Sequence, residues 1–383
     1  MNKLNRLTSK ITAVMSLSVI VGLGGMTIFG NKNGKSFSEN RELTKFTKPS
    51  FETVYDGRSA EQLDGYFTDH FTDRSKWLYF KSLIEAEVSE SIVNGVYVSS
   101  ERLLDTENTH LNEKMLSYNA DIINNFAKKY DGTAYFVAVP SSTGIYGDVL
   151  PSHVVEINDN QKINMLYEIL DNGIRKIDAY NILKMMKESY IYFRNDTKWT
   201  SYGAYCVYKT VIQKLGFIPT SYDKYTVEHV NDKFRGTLYN RTFSKKPKAD
   251  VLDKYVYFDG AEVLSCERIQ SDGTSSEGEL IDMSRLSSSD MYSMYLGEDI
   301  PVLKIKTSAQ SEKKLLVIKD SYADCFIPFL TQHYSEITVV SSDILEGSLS
   351  EFVDVNEYPQ TLFMFGIENF DKGSSLEKIT ERN

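Results

Sequence analysis

Three short runs near the carboxyl end, "KLLVIK" at 314–319, "EITVVS" at 336–341 and "TLFMFG" at 361–366, constrain the fold more than any other feature of the chain. Each is almost continuously apolar, and the intervening stretches are long enough for helical crossovers, the pattern of strands buried on both faces of a parallel α/β sheet. Ala134 to Val139 reads as another such strand, bounded by the Asp131-Gly132 turn and Pro140. "IRKIDAY" at 174–180 supplies a further short strand, preceded by a helix from about Gln161 to Leu170. Leu111, Met115, Tyr118, Ile122 and Phe126 form one stripe of an amphipathic helix, and a second helix is expected from about Tyr322 to Tyr334.

The region 220–312 has a different character. Polar loops such as "SSEGEL" and "SRLSSSD" surround β-type runs such as "DKYVYFDGAEVLS", which suggests a polar, β-rich insertion. At the amino end, Lys3, Arg6 and Lys10 precede an uncharged run from Ile11 to Phe29. Nineteen residues of helix span roughly 28 Å, close to the thickness of a bilayer core. With the basic flank cytoplasmic and no Ala-x-Ala cleavage site, residues 1–30 read as a cytoplasmic tip and retained transmembrane signal-anchor. Residues 31–60 then form a juxtamembrane linker, and 61–383 an extracytoplasmic α/β domain. Leu63, Tyr66, Phe67, Phe71, Trp77, Phe80 and Ile84 predict one or two helices where that domain begins.

Fifty-three acidic against 43 basic residues give a net charge of −10, which excludes attraction to a phosphate backbone as the basis of function, so no nucleic-acid partner is expected. Cys206, Cys266 and Cys325 cannot all pair within one chain and match no zinc or redox spacing. No metal site and no cofactor are indicated.

Chemistry has two candidate locations. In "LLVIKDSYADCFIPFL" a buried strand delivers Asp320 and Ser321 to a sharp turn before a helix, where backbone N–H groups could stabilise an oxyanion; the same residues are also common helix caps. In "FRNDTKWTSYGAY" Asp196 and Trp199 stand as in an Asp-x-His-Trp site, with Lys198 where an imidazole is needed. Capping by Asp196 and Thr200 and core packing by Trp199 explain that segment equally well. His70, His110, His153, His229 and His333 lie in packing or loop contexts, and His333 sits twelve residues beyond Ser321. None is a convincing substitute base.

Taken together, "NDTKWTSYGAY", "VIKDSYADCFIPFL", "FSENREL", "YFTDHFTDR" and "VAVPSSTGIYGDVLP" resemble the DHHW family of bacterial surface proteins. These are similar in turn to SGNH-like alginate O-acetylation proteins. The resemblance runs from Phe37 to about Phe365. It implies an SGNH-like three-layer α/β sandwich with a mostly parallel sheet, on a single-pass anchor in the bacterial cell membrane. It makes Ser321 the nucleophile position and Asp196 the orienting carboxylate, with Trp199 and Tyr322 as substrate-binding aromatics. Thr197 and Lys198 replace the two histidines of the name-giving block. "VVSSDILEG" has Ser342 and Asp343 where many relatives have an arginine.

A lysine serves as base at neutral pH only if its pKa falls by roughly three units, or about 4 kcal/mol. Burial lowers it, but neighbouring carboxylates, here expected from Asp196 and Asp320, stabilise the ammonium. Two functions follow. One is an O-acyltransferase or esterase modifying cell-surface polysaccharide through an acyl-Ser321 intermediate, with a membrane-bound O-acyltransferase as partner. The other is a catalytically impaired relative that binds glycan or acts as a scaffold.

Overall fold

A computed structural model describes residues 3–29, 34–36, 41–74, 76–77, 79–81, 84, 92–107, 111–152, 154, 158–373 and 375–379. They divide into two compact units, Met1–Glu90 with Asn240–Ser244, and Ser91–Tyr239 with Lys245–Asn383.

The first unit holds a helix, Lys3–Phe29, whose segment Lys10–Thr27 has a mean hydropathy of 1.5 and is long and apolar enough to cross a membrane. Two further helices, Phe51–Tyr55 and Arg58–Asp69, follow. Ser50 and Thr53 cap the first reciprocally, and the Asp69 carboxylate accepts two hydrogen bonds from Thr44 at 2.8 Å. The helix expected through Trp77, Phe80 and Ile84 falls partly outside the described residues, as do Phe37–Asn40 of "FSENREL".

The second unit is mixed α/β around an eight-stranded sheet. Its strands are β1 (Thr133–Val139), β2 (Arg175–Asp178), β3 (Val263–Ile269), β4 (Ser275–Glu277), β5 (Val302–Thr307), β6 (Lys314–Lys319), β7 (Glu336–Ser341) and β8 (Gln360–Gly366), in the order β4-β3-β5-β7-β6-β8-β1-β2. The five strands from β7 to β2 are parallel; β5, β3 and β4 extend the sheet antiparallel. The β-rich insertion thus contributes β3, β4 and β5 to the main sheet. Another part of it, the hairpin Thr226–Phe234 with Asp250–Val256, stands apart from the sheet.

Strand periodicity separates two cores. Tyr135, Val137, Leu315, Val317, Leu362 and Met364 face one side; Phe136, Ala138, Leu316, Ile318, Phe363 and Phe365 face the other. Helix α3 (Ser201–Lys214) covers the first side, and α1 (Glu113–Lys129) with α2 (Asp159–Ile169) covers the second. A sheet apolar on both faces requires this double cover, which produces three layers.

The connection after β6 differs from expectation. The helix predicted over Tyr322 to Tyr334 is a 3-10 turn, Ser321–Ala323, followed by a four-residue helix, Ile327–Leu330. Pro328 lies in the first turn of that helix, where its missing N–H costs nothing; in the interior of a longer helix it would break the hydrogen-bond ladder. Between β7 and β8 the helix-like segment is two 3-10 turns, Leu349–Glu351 and Val355–Glu357.

β1 connects outward to β2 and β6 outward to β7, in opposite directions, and β8 fills the place between them. In parallel sheets the crevice at such a reversal, beyond the carboxyl ends of the strands, is where ligands bind. Ser321 follows the carboxyl end of β6.

Phe363 is fully buried and packs against Phe126 and Phe136. Phe363→Ala is expected to cost about 3–5 kcal/mol in denaturant unfolding with an unchanged slope. A loss below about 1 kcal/mol would contradict the placement of this core.

Candidate active site

The segment 191–200 is a tight loop closed by backbone pairing. Thr200 N donates to Ile191 O at 2.9 Å, Phe193 N to Lys198 O at 3.2 Å, and Tyr192 and Trp199 form an isolated bridge. Thr200 then caps α3, its hydroxyl accepting from Gly203 N at 3.2 Å. Asp250, wholly buried at the start of a hairpin strand, holds the loop from outside. Its carboxylate accepts from Arg194 N and Asn195 N, both at 2.8 Å, and from the Tyr190 hydroxyl at 2.6 Å.

Within that frame Asp196 is 1% exposed. Oδ1 accepts from Lys198 N at 3.0 Å and Oδ2 from Thr237 N at 2.7 Å. Gly236 makes the close approach possible, since a Cβ there would overlap the Asp196 carboxylate.

The two distant junctions meet. The Trp199 indole N–H donates to the Tyr322 carbonyl at 2.6 Å, and the Tyr322 hydroxyl lies 3.2 Å from Thr197 O. Both rings are buried, at 0% and 1% exposure. This corrects their expected role: they present no face to a ligand, and instead bind the 196–199 segment to the turn after β6. The signal misread in the sequence was aromaticity beside candidate catalytic residues, which served the interior.

Ser321 is half-buried at the start of its 3-10 turn. Asp320 caps the turn, Oδ1 accepting from Tyr322 N at 3.0 Å, while Oδ2 accepts from Gly366 N at 2.9 Å and Asn369 Nδ2 at 3.0 Å. Beyond the turn, Lys319 Nζ meets Asp324 Oδ1 at 2.6 Å in a buried pair. Burial pushes Asp324 up to about 6 against the pull of Lys319. No long helix begins at Ser321, so the anticipated helix N-terminus for an oxyanion is absent from this turn.

Lys198 settles the electrostatics. Its ammonium lies 3.7 Å from Asp196 Oδ1 and 4.9 Å from the centre of the Tyr292 ring, with 14% of the side chain exposed. Burial alone would lower its pKa, but the carboxylates of Asp196, Asp290, Asp324 and Glu368 outweigh it and hold the amine above the ordinary lysine range. Of the two carboxylates expected to favour the ammonium, Asp196 is among the principal ones, and Asp290, Asp324 and Glu368 join it in place of Asp320. The charged ammonium is therefore the favoured form at neutral pH. Among the described residues no hydrogen bond joins the Ser321 hydroxyl to Lys198 or Asp196.

The remaining candidates do not replace the base. His333 is 8% exposed, bonds to the Tyr208 hydroxyl at 2.6 Å, and is lowered to about 4 by burial. His229 pairs with Asp253, and His70 contacts Tyr66 O and stacks on the Tyr66 ring. His110 and His153 lie outside the described residues. All three cysteines are free and buried, and burial pushes the Cys325 thiol up to about 12. Ser342 is buried against Lys319 O, and Asp343 is exposed.

Residues missed in the sequence are Asp250, Gly236, Asp290, Asp324, Tyr292 and Glu368. They converge from separate elements, and only the Asp324 spacing from Lys319 offered a local signal.

Gly236→Ala is expected to destabilise the protein by about 1–3 kcal/mol in chemical unfolding. Gly147→Ala, whose added methyl meets open space, should be neutral or slightly stabilising. Equal effects would contradict the close approach of Asp196. Because the Lys198 shift is upward, its contribution to stability is complete below about pH 10.4 and declines as pH rises through the folded value.

Comparison with known proteins agrees with the fold of the second unit. A family model described as DHHW protein matches residues 80–340, well over half of the chain. A DHHW family protein from Eubacterium siraeum is 21% identical, with 74% of this chain and 94% of that one covered at a TM-score of 0.62. Bacillus cereus PatB1, solved with a sulfonyl adduct, is 19% identical over 74% of this chain and 98% of its own, at a TM-score of 0.63. The O-acetyltransferase domain of Pseudomonas putida AlgJ overlaps more loosely, 14% identical over 75% and 95% of the two chains, at a TM-score of 0.46. No curated protein sequence matches. With the family model matched over residues 80–340, well over half of its length, the chain belongs to the DHHW family.

Proposed function

We propose that the chain is a membrane-anchored, extracytoplasmic participant in the O-acetylation or deacetylation of a cell-surface polysaccharide, and that its Ser321 site holds ligand without an effective proton relay at neutral pH. Family membership and the N-terminal apolar helix support the setting. The likeness to the SGNH-like proteins of polysaccharide O-acetylation, read from the sequence blocks, supports the substrate class. A membrane-bound O-acyltransferase is the partner that would deliver acyl groups in such a system.

One observation carries the reading of the site: the Lys198 ammonium is paired with Asp196 and faces three further carboxylates. A nucleophilic serine requires a neighbour that accepts its proton. An ammonium has three donors and no acceptor, so it can hold a carbonyl or anionic oxygen beside Ser321 but cannot activate the hydroxyl. The site therefore retains the means to orient an acylated or anionic ligand and lacks the base for turnover.

With purified full-length chain and p-nitrophenyl acetate at neutral pH, no Ser321-dependent burst is expected. Lys198→His should raise the acylation rate by at least about a hundredfold, and the gain should vanish when Ser321→Ala is added. A burst from the native chain that disappears in Ser321→Ala would overturn the reading.

The holding role has its own test. Native surface polymer should bind the chain and its Ser321→Ala variant with similar affinity. Failure of both to bind would remove that role.

A further inference from the structure

Glu368 lies just beyond the carboxyl end of β8 and is 5% exposed. Its Oε1 stands 2.6 Å from the Tyr322 hydroxyl, which also lies 3.2 Å from Thr197 O. The Tyr322 ring lies against β8, in the space that a side chain at Gly366 would fill. One phenolic hydrogen therefore faces two acceptors.

With Glu368 ionised, the hydrogen serves one acceptor and leaves the other oxygen against a lone pair, a costly arrangement in a buried setting. With Glu368 protonated, the carboxyl donates to the Tyr322 oxygen and Tyr322 donates to Thr197 O, which satisfies every group in one chain. We propose that Glu368, Tyr322 and the Thr197 carbonyl form a proton-operated clasp, closed when Glu368 is protonated, that positions the Asp196–Trp199 segment on the Ser321 turn.

The surroundings do not settle the protonation state by charge alone. Lys372 faces Glu368 from its own segment, and Asp105 and Asp159 face it from the strand Leu103–Asp105 and from α2. Lys198 and Tyr192 face it from the 191–200 loop. Two cations oppose two anions, and burial becomes decisive, pushing Glu368 up to about 7 against the opposing pull of the Tyr322 bond and Lys372. An upward shift means that the closing contribution is complete below the ordinary carboxylate range and is lost as pH rises through the folded value. The Trp199–Tyr322 bond contains no titrating group, so the loss is confined to the 196–198 end of the segment.

The clasp is independent of acyl transfer, and its test uses no substrate. Full-length chain carrying side-chain carboxyl 13C-labelled glutamate is titrated by NMR, with Glu368→Gln identifying the resonance. A midpoint near 7 is expected. Hydrogen exchange of the Lys198 amide, corrected for intrinsic pH dependence, should rise about tenfold from about pH 6 to about pH 8. That rise should be absent in Glu368→Gln, whose amide donates as the protonated acid does, and in Tyr322→Phe, which keeps the ring but removes the hydroxyl. If Glu368→Gln does not fold, Tyr322→Phe supplies the exchange comparison. A carboxyl titrating in the ordinary range, or Lys198 exchange unchanged with pH in the native chain, would overturn the proposal.

Discussion

The hydrogen bond from the Trp199 indole to the Tyr322 carbonyl joins residues 123 apart in sequence. The candidate site exists because of this contact. Both rings are excluded from water, so a donor or acceptor left without its partner would cost about 1–3 kcal/mol, which keeps the two loops in register. The contact brings an acid and an ammonium to the rim where β6 delivers Ser321. The sheet provides the platform, since the parallel strands end together and their connections diverge at that point.

Charge then decides what the platform can do. An imidazole in the Lys198 position would exchange protons near neutrality, with its orientation fixed by Asp196. A lysine in the same place meets carboxylates that favour its charged form, and Asp196, the group that would have oriented the imidazole, becomes its counter-ion. Around the pair, Asp250 holds the loop, Gly236 admits the Asp196 carboxylate, and Asp320 ties β6 to β8.

Much of the fold was legible in sequence. β6 and β7 match their runs residue for residue, because their apolar centres are buried on both faces and polar residues mark each end. β5 was hidden: Lys304 and Lys306 interrupt its apolar pattern, and its place depends on antiparallel pairing with β7, a relation that local pattern does not carry. The long helix expected after Ser321 failed for a different reason. Cys325, Phe326, Ile327, Phe329 and Leu330 are all buried, so their apolar density reflects enclosure on every side, and Pro328 keeps the helix from running back to Ser321. In the site, Asp196, Lys198 and Ser321 were recognisable by their blocks. Asp290, Asp324 and Glu368 were not, because three carboxylates from three elements become neighbours of Lys198 only after folding.

The central claim is that Lys198 is an ammonium throughout the neutral range. Selective 13C labelling of lysine, with the Lys198 resonance assigned through Lys198→Gln, allows its titration to be followed directly by NMR. The account predicts a side chain that stays charged to above the ordinary lysine value of about 10.4. A midpoint near neutrality would show a lysine able to accept the Ser321 proton, and would contradict it.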